Sequence, residues 1–332
     1  MYLNPDFAIY ATDRFVLASI ALFLEAVTGR MSWLFRIIPH PLAILRSSAA
    51  FLGRRLNRSR RGPRVLIVRG AIVTGFLCCV TGSVGWMISC WGETYPAGWM
   101  VDLMFLVFFV SQRGSYSDAS RTVCAQSKNG LVAGRKALAR YHKGRIDALD
   151  EYGIYRSLTE HLAAEMGRWL ISPLFWYLVG GLPALLVYAT IVAAVDALAA
   201  DDESRAGFGW TASRLEFTMG WLPGRIAGVF VVLASSLAPT ARPVRAARIM
   251  VHMARSLPSP AHGWPAAAMA GALSLEIAGP NSTEGRELPW IGEGSARATV
   301  RDAYRALLLF GYVCVMNAVF ILGGAIGRIL WL

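Results

Sequence analysis

Acidic side chains beside long apolar runs are the residues of this sequence with the clearest chemical potential. Glu160 and Glu165 come shortly before an apolar run that begins at Trp169, and Asp196 directly follows its last residue, Val195. Ionisable groups at the depth of a membrane are costly to bury and are often functional. At a helix end the same groups can reach interfacial water, and for Asp196 a solvated helix end is the favoured interpretation. Two further acids lie in comparable places: Glu25 and Asp102.

The common strong catalytic motifs do not occur in this sequence. It contains no GxxxxGK[ST] loop, no GxGxxG after a strand, no HExxH and no GxSxG. The five cysteines lack a CxxC spacing, which is typical of small core residues rather than of zinc ligands or a disulfide framework. No two histidines stand at the spacing of metal ligands, so the sequence predicts no metal site of its own: His40, His142, His161, His252 and His262.

The composition indicates which elements must position these groups. Of the 332 residues, 55% are hydrophobic and only 16% are charged, whereas soluble domains carry about 25% charged residues. This balance predicts an integral membrane protein and argues against an ordinary soluble domain. The net charge of +12 suits either nucleic acid or an anionic membrane surface. Arginine blocks next to apolar runs favour the membrane, so we expect a lipid bilayer and no nucleic acid as partner.

Apolar runs predict an all-α protein with four to six membrane passes. A helix needs about 20 apolar residues to cross a bilayer, and three runs approach or exceed that length: residues 65–91, 169–195 and 307–327. Pro173 and the Gly180–Pro183 stretch interrupt the second run, which predicts one kinked span or two half-length helices. Three shorter runs need tilt or flanking residues to cross: 15–27, 100–110 and 222–237.

Charged segments between the runs predict the topology. The basic stretch 54–64, RRLNRSRRGPR, precedes a span and should be cytoplasmic; a site for phosphate or nucleic acid is the alternative. Residues 111–168 place apolar side chains at helical spacing, which predicts two or three amphipathic helices on the cytoplasmic face. A second cytoplasmic segment is expected over 239–302. It opens with Arg242, Arg245 and Arg248 three residues apart, which favours an interfacial helix over an anion site.

Four stretches resemble, in the same order, the adenosylcobinamide-phosphate synthase (CobD/CbiB) family. They contain Pro-His-Pro at 39–41, Pro-Leu-Phe at 173–175, Pro-x-Arg at 223–225 and Gly-Trp-Pro at 263–265 within GWPAAAMAGALSLEIAGPN. The resemblance implies a single membrane domain over residues 1–332, a multi-pass protein of the bacterial inner membrane. It also implies cobalamin biosynthesis, where such relatives join adenosylcobyric acid to an amino-alcohol or its phosphate through an ATP-dependent amide bond.

The polar positions depart from the family pattern. Where the family writes Glu-Asn-x-x-Asp-Gly, this chain has Ala164-Glu165-Met166-Gly167-Arg168-Trp169, and the paired aspartates that follow Arg-Leu are replaced by Glu216-Phe217. The guanidinium of Arg168 cannot coordinate the Mg²⁺ that ATP-dependent amide formation needs. The backbone-shaping glycine, proline and tryptophan positions are kept, including Pro265. A retained scaffold with eroded polar motifs predicts a non-catalytic member that serves as an accessory or assembly subunit of a membrane complex, or as a ligand-binding scaffold.

An active synthase is the alternative, with Mg-ATP and a corrinoid as its reactants. In that case the resemblance implies four catalytic acids: Glu160, Glu165, Asp196 and Glu216. The groups implied to contact phosphate or the corrin side chains are His40, Arg214, Arg225 and Asn281.

Overall fold

The protein is almost wholly helical in a computed structural model that describes residues 13–29, 40–57, 62–95, 97–199, 206–280, 282 and 287–331. The α-helices are α1 (Arg14–Thr28), α2 (Pro41–Leu56), α3 (Pro63–Thr94), α4 (Trp99–Phe109), α5 (Arg113–Leu138), α6 (Glu151–Glu165), α7 (Ser172–Leu198), α8 (Trp210–Leu237), α9 (Pro243–Met253), α10 (Pro260–Leu273) and α11 (Val300–Trp331). Shorter helical turns are the 3₁₀ turns Ile146–Ala148 and Ala254–Ser256 and the π-helix Met166–Ile171. Strands β1 (Ile277–Ala278) and β2 (Trp290–Ile291) form an antiparallel pair. The all-α prediction is therefore confirmed.

Helical segments long and apolar enough to cross a membrane number four among the described residues: Arg64–Gly92, Glu151–Leu198, Trp210–Leu237 and Val300–Trp331. They contain the three runs that the sequence predicted most clearly, and the shorter run 222–237 becomes a span because α8 begins twelve residues earlier. The other two short runs are helical, but α1 has only 15 residues and α4 only 11. Four spans lie within the predicted range of four to six.

The chain divides into two compact units. Unit 1 comprises Met1–Val110, Pro173–Met219 and Phe320–Leu332, and unit 2 comprises Ser111–Ser172 and Gly220–Val319. Within unit 1, buried side chains of α2, α3, α7 and α8 form a continuous core around Leu77, Leu198 and Phe208. A Cβ on Gly70 would lie 1.8 Å from the carbonyl oxygen of Phe208. Glycine is therefore required there for the backbones to meet.

The predicted interruption of the second apolar run lies at Gly181. This residue has φ +66° and ψ −156°, a conformation that glycine adopts without the steric cost a side chain would bring. Pro183 then falls in the first turn of the continuing helix, where a proline costs no intrahelical hydrogen bond. Pro173, the other predicted point of interruption, does not end a helix. It lies in the first turn of α7, directly after the π-helix.

Unit 2 is built around α10, a helix rich in alanine and glycine. All but one of its residues are buried, and its glycines and alanines permit close backbone contact. A Cβ on Gly167 would lie 1.7 Å from the carbonyl oxygen of Ala261. The helix α6, predicted to be amphipathic, is instead buried along most of its length, because α10 and β1 pack against it.

Candidate functional site

The carboxylate of Glu160 lies in a buried polar cluster within unit 2. Its Oε1 accepts a hydrogen bond of 2.5 Å from the hydroxyl of Ser282 and lies 3.8 Å from Nε2 of His262. Glu160 and His262 are each 1% exposed, and Ser282 is completely buried. A buried carboxylate is expensive unless neighbouring groups compensate it, so these two side chains stabilise it. We call these three residues the Glu160 cluster.

Three separate elements supply the Glu160 cluster. Glu160 lies on α6, His262 lies in the first turn of α10, and Ser282 follows β1. The helix α10 can bring His262 this close because its other side chains are small. The sequence analysis predicted Glu160 as a site residue but missed both partners, since neither stands at a recognisable spacing from it.

Next to this cluster in unit 2, aromatic and imidazole rings form a second buried group. The rings of Tyr141 and His161 are stacked with their centroids 4.0 Å apart, and the Tyr141 hydroxyl donates a 3.0 Å hydrogen bond to Oγ1 of Thr122. Burial raises the pKa of Tyr141. Burial, followed by repulsion from His161, lowers the pKa of His142 to about 4. His142 is therefore neutral at physiological pH.

We expect His142 to make the protein acid-sensitive. In the unfolded chain its pKa is near 6.5, against about 4 in the folded protein, so the unfolded chain binds the proton more readily. The stabilising contribution of neutral His142 is fully present above pH 6.5 and is lost as the pH falls from 6.5 towards 4. The free energy of unfolding should be about 2 kcal/mol lower at pH 5 than at pH 7 through this group.

This acid sensitivity can be measured by denaturation of detergent-solubilised protein at both pH values. The difference in the free energy of unfolding between pH 5 and pH 7 should be about 2 kcal/mol smaller in His142→Phe than in the unaltered protein. It should stay unchanged in the matched variant His252→Phe, since His252 is exposed. An equal pH dependence in all three proteins would contradict the assignment.

Glu165, the second predicted acid of unit 2, stands at the end of α6. Its Oε2 accepts a 2.8 Å hydrogen bond from the hydroxyl of Ser115, whose oxygen is 3.2 Å from that of Ser111. The π-helix follows immediately and contains Arg168 and the buried Trp169. Such π-helical turns are rare and frequently occur at functional sites. Residues 164–169, where this chain departs from the family pattern, therefore overlap the π-helix.

Arg225 is held between two aromatic rings in unit 2. Its guanidinium carbon lies 3.8 Å from the ring centroid of Trp221 and 4.4 Å from that of Trp264. Its Nη1 donates a 2.6 Å hydrogen bond to the carbonyl oxygen of Trp221. These contacts join the Pro-x-Arg stretch of α8 to the Gly-Trp-Pro stretch of α10. Stacking on two rings fixes the guanidinium plane.

The remaining described candidates belong to unit 1. Asp196 pairs with Arg46 at 2.7 Å and its side chain is only 9% exposed, so the interpretation as a solvated helix end was wrong. The Asp196 carboxylate is part of a tertiary ion pair between α7 and α2. Glu216 is buried on α8, at 3% exposure, and Arg214 stacks over Trp210 at 5.5 Å.

His40 caps α2, since its Nδ1 accepts a 3.1 Å hydrogen bond from the backbone N–H of Leu42. Asn281 lies outside the described residues. The four acids thus divide evenly between the units: Glu160 and Glu165 in unit 2, Asp196 and Glu216 in unit 1.

In the part of the chain that the structure describes, no three His, Cys, Asp or Glu side chains form a group that could hold a metal ion. Of the two predicted acids in unit 2, Glu165 is half-buried, whereas Glu160 is enclosed. In α9, Arg248 pairs with Glu293 at 3.0 Å.

Comparison with known proteins places this fold and these residues in a family. The family model described as CobD/Cbib protein matches residues 18–310. The chain is 32% identical over 302 residues to a "Cobalamin biosynthesis protein CobD" of Brucella suis, covering 90% of this chain and 92% of that protein. Proteins of the same name from a Sinorhizobium species and from Rhodobacter capsulatus are each 28% identical, over 92% and 88% of this chain and 97% and 91% of their own. No solved structure matches. The chain belongs to the CobD/CbiB family.

Proposed function

We propose that this chain serves cobalamin biosynthesis in the bacterial inner membrane, at the step that joins adenosylcobyric acid to an amino-alcohol or its phosphate. The observation that carries this proposal is the similarity to the Brucella suis cobalamin biosynthesis protein along 90% of this chain and 92% of that one. Helices of membrane-crossing length support the location. Within the helical stretch Glu151–Leu198, the apolar run 169–195 is long enough by itself to cross the bilayer. The segments 111–168 and 239–302 then lie on the cytoplasmic face, where ATP is available.

The chemistry assigns different roles to the acids of unit 2. Amide formation transfers a phosphoryl group from ATP to the corrinoid carboxylate, and the amine then displaces that phosphate. Magnesium that arrives with ATP keeps phosphate oxygens and waters and takes only one or two protein carboxylates. Glu165, whose carboxylate accepts a hydrogen bond from Ser115, would supply one of them. Arg225 supplies a fixed positive charge for a phosphate. Glu160 is a positioning residue, because its carboxylate oxygen is already in contact with Ser282 and His262.

A non-catalytic role within the same step is the second candidate. The observation that favours it is Arg168, which brings positive charge into the π-helix where the family pattern has an aspartate. The ion pair between Asp196 and Arg46 also occupies a carboxylate that catalysis would use. In this role the protein is an accessory or assembly subunit, or a scaffold that binds a corrinoid without turning it over.

A turnover assay tests the proposal. The protein in nanodiscs is incubated with adenosylcobyric acid, Mg-ATP and 1-aminopropan-2-ol phosphate, and formation of the amide is followed by mass spectrometry. We expect product, and we expect Glu165→Gln to lower kcat about 100-fold or more, the range seen when one group that stabilises developing charge is removed. The matched variant Glu293→Gln should leave the rate unchanged, since that carboxylate is exposed and pairs with Arg248.

Two outcomes separate the candidates. If this chain gives no product while the Brucella suis relative, prepared in the same way, does, catalysis is excluded. The accessory role then requires that adding this chain raises the rate or yield of the relative. An active protein in which Glu165→Gln has no effect would keep the function and reject the assignment of Glu165.

A further inference from the structure

A groove of about 570 Å³ lies between α2 and α3 in unit 1. On the α2 side, Ser47, Ser48 and Arg54 form a polar wall next to the apolar residues Phe51 and Leu52, and on the α3 side Phe76, Leu77 and Val80 form an apolar wall. None of these residues belongs to the candidate site described above. One side of the groove therefore suits an anionic oxygen-rich group, and the other suits hydrocarbon.

Arg54 provides the charge of the polar wall. It is exposed in the last turn of α2, and among the described residues it has no ion pair or hydrogen bond. The neighbouring Arg55 behaves differently, because its guanidinium stacks over Phe51 at 4.7 Å. Of the two arginines, only Arg54 lines the groove.

The apolar wall belongs to a helix that is long enough to cross a membrane. The span Arg64–Gly92 has a mean hydropathy of 2.0, yet only 22% of its most apolar window is buried within the protein. Phe76 and Val80 are exposed, so in a bilayer they contact hydrocarbon. An amphiphile with its head at Arg54 can lay an acyl chain along this wall.

We propose that this groove binds an anionic phospholipid. The phosphate lies against Arg54 and the hydroxyl of Ser48, since the Ser47 hydroxyl already donates to the carbonyl oxygen of Ile44, and one acyl chain follows Phe76, Leu77 and Val80. Two observations favour an anionic over a zwitterionic lipid. The groove itself offers Arg54 and no acidic side chain, and the sequence 55–64 contains five further arginines. A basic stretch beside a span belongs on the cytoplasmic side, the leaflet in which anionic lipids are enriched. This site is independent of the proposed function.

Native mass spectrometry of the full chain in detergent tests the headgroup contact. Phosphatidylglycerol and phosphatidylcholine with identical acyl chains are added in equal amounts. We expect phosphatidylglycerol to bind about fivefold more tightly, the effect of one arginine on a lipid of net negative charge, because the choline cation of phosphatidylcholine offsets its phosphate. Arg54→Gln should remove this preference, whereas Arg55→Gln, with the same change of net charge, should keep it. Equal binding of both lipids by the unaltered protein, or equal losses in both variants, would overturn the proposal.

A second variant tests the groove itself. Ser48→Phe places an aromatic ring in the groove and should lower binding of both lipids, while the unfolding temperature in lipid-free detergent confirms that the variant is folded. Undiminished binding in Ser48→Phe would show that the lipid lies elsewhere on the helix surface. Free inorganic phosphate serves as the headgroup-only probe; if it competes fully with phosphatidylglycerol at millimolar concentration, the site is an anion site and the lipid assignment is wrong.

Discussion

Replacing Glu160 by alanine is expected to lower the free energy of unfolding by about 3 to 5 kcal/mol. The change removes the acceptor of the Ser282 hydrogen bond and leaves His262 enclosed without its carboxylate neighbour. A buried polar group that loses a polar partner typically costs about 1 to 3 kcal/mol, and here both Ser282 and His262 lose one. Glu160→Gln retains a side-chain oxygen that can accept from Ser282, so its cost should be about half as large.

Chemical denaturation of the detergent-solubilised protein measures both changes. Glu293→Ala is the matched control, because the side chain of Glu293 is 55% exposed, and it should alter stability by no more than about 0.5 kcal/mol. The double variant Glu160→Leu with His262→Leu should recover part of the loss, since the buried imidazole is removed together with its carboxylate neighbour and only the Ser282 hydroxyl loses a partner. Equal stability of Glu160→Ala and Glu293→Ala would show that the cluster contributes nothing to the fold.

Gly167→Ala should destabilise the protein by about 3 kcal/mol or more. The added Cβ would stand 1.7 Å from the carbonyl oxygen of Ala261, so the π-helix and the start of α10 would have to separate. Overpacking of this kind typically costs 1 to 3 kcal/mol, and here the obstacle is backbone rather than a flexible side chain. Activity, where present, should fall with stability, because Glu165 and His262 flank the displaced segments.

Gly311→Ala is the control for this prediction. No atom lies within 4 Å of a Cβ at Gly311, and this glycine is inside α11, where alanine is the better helix former by up to about 1 kcal/mol. The two substitutions should therefore move the unfolding midpoint in opposite directions. A Gly167→Ala protein as stable as the unaltered one would mean that the contact with Ala261 is looser than the structure has it.

Features set by local chain properties were predictable from the sequence. The apolar runs located the four candidate spans, although two of the helical segments begin 12 and 18 residues before their runs. Gly181 was among the residues where an interruption was expected, because glycine adopts the positive φ that a break requires. These predictions succeed because each depends on residues within about 30 positions of one another.

Contacts between distant residues were not predictable in this way. Asp196 looked like a solvated helix end, but its partner Arg46 is 150 residues away. Glu160 was a candidate on its own, and nothing in the spacing of His262, Ser282 or His142 connects them with it. The burial that lowers the pKa of His142 is a property of the folded unit, which no local pattern contains.

The distance in sequence between Glu160 and Ser282 has a consequence for biogenesis. They are 122 residues apart, and at a synthesis rate of about 5 to 20 residues per second the second leaves the ribosome about 6 to 24 s after the first. For most of that interval α6 is complete, whereas α10, the helix that buries it, is finished only shortly before Ser282 is made. The nascent chain therefore carries the Glu160 carboxylate in contact with solvent for several seconds before unit 2 can close.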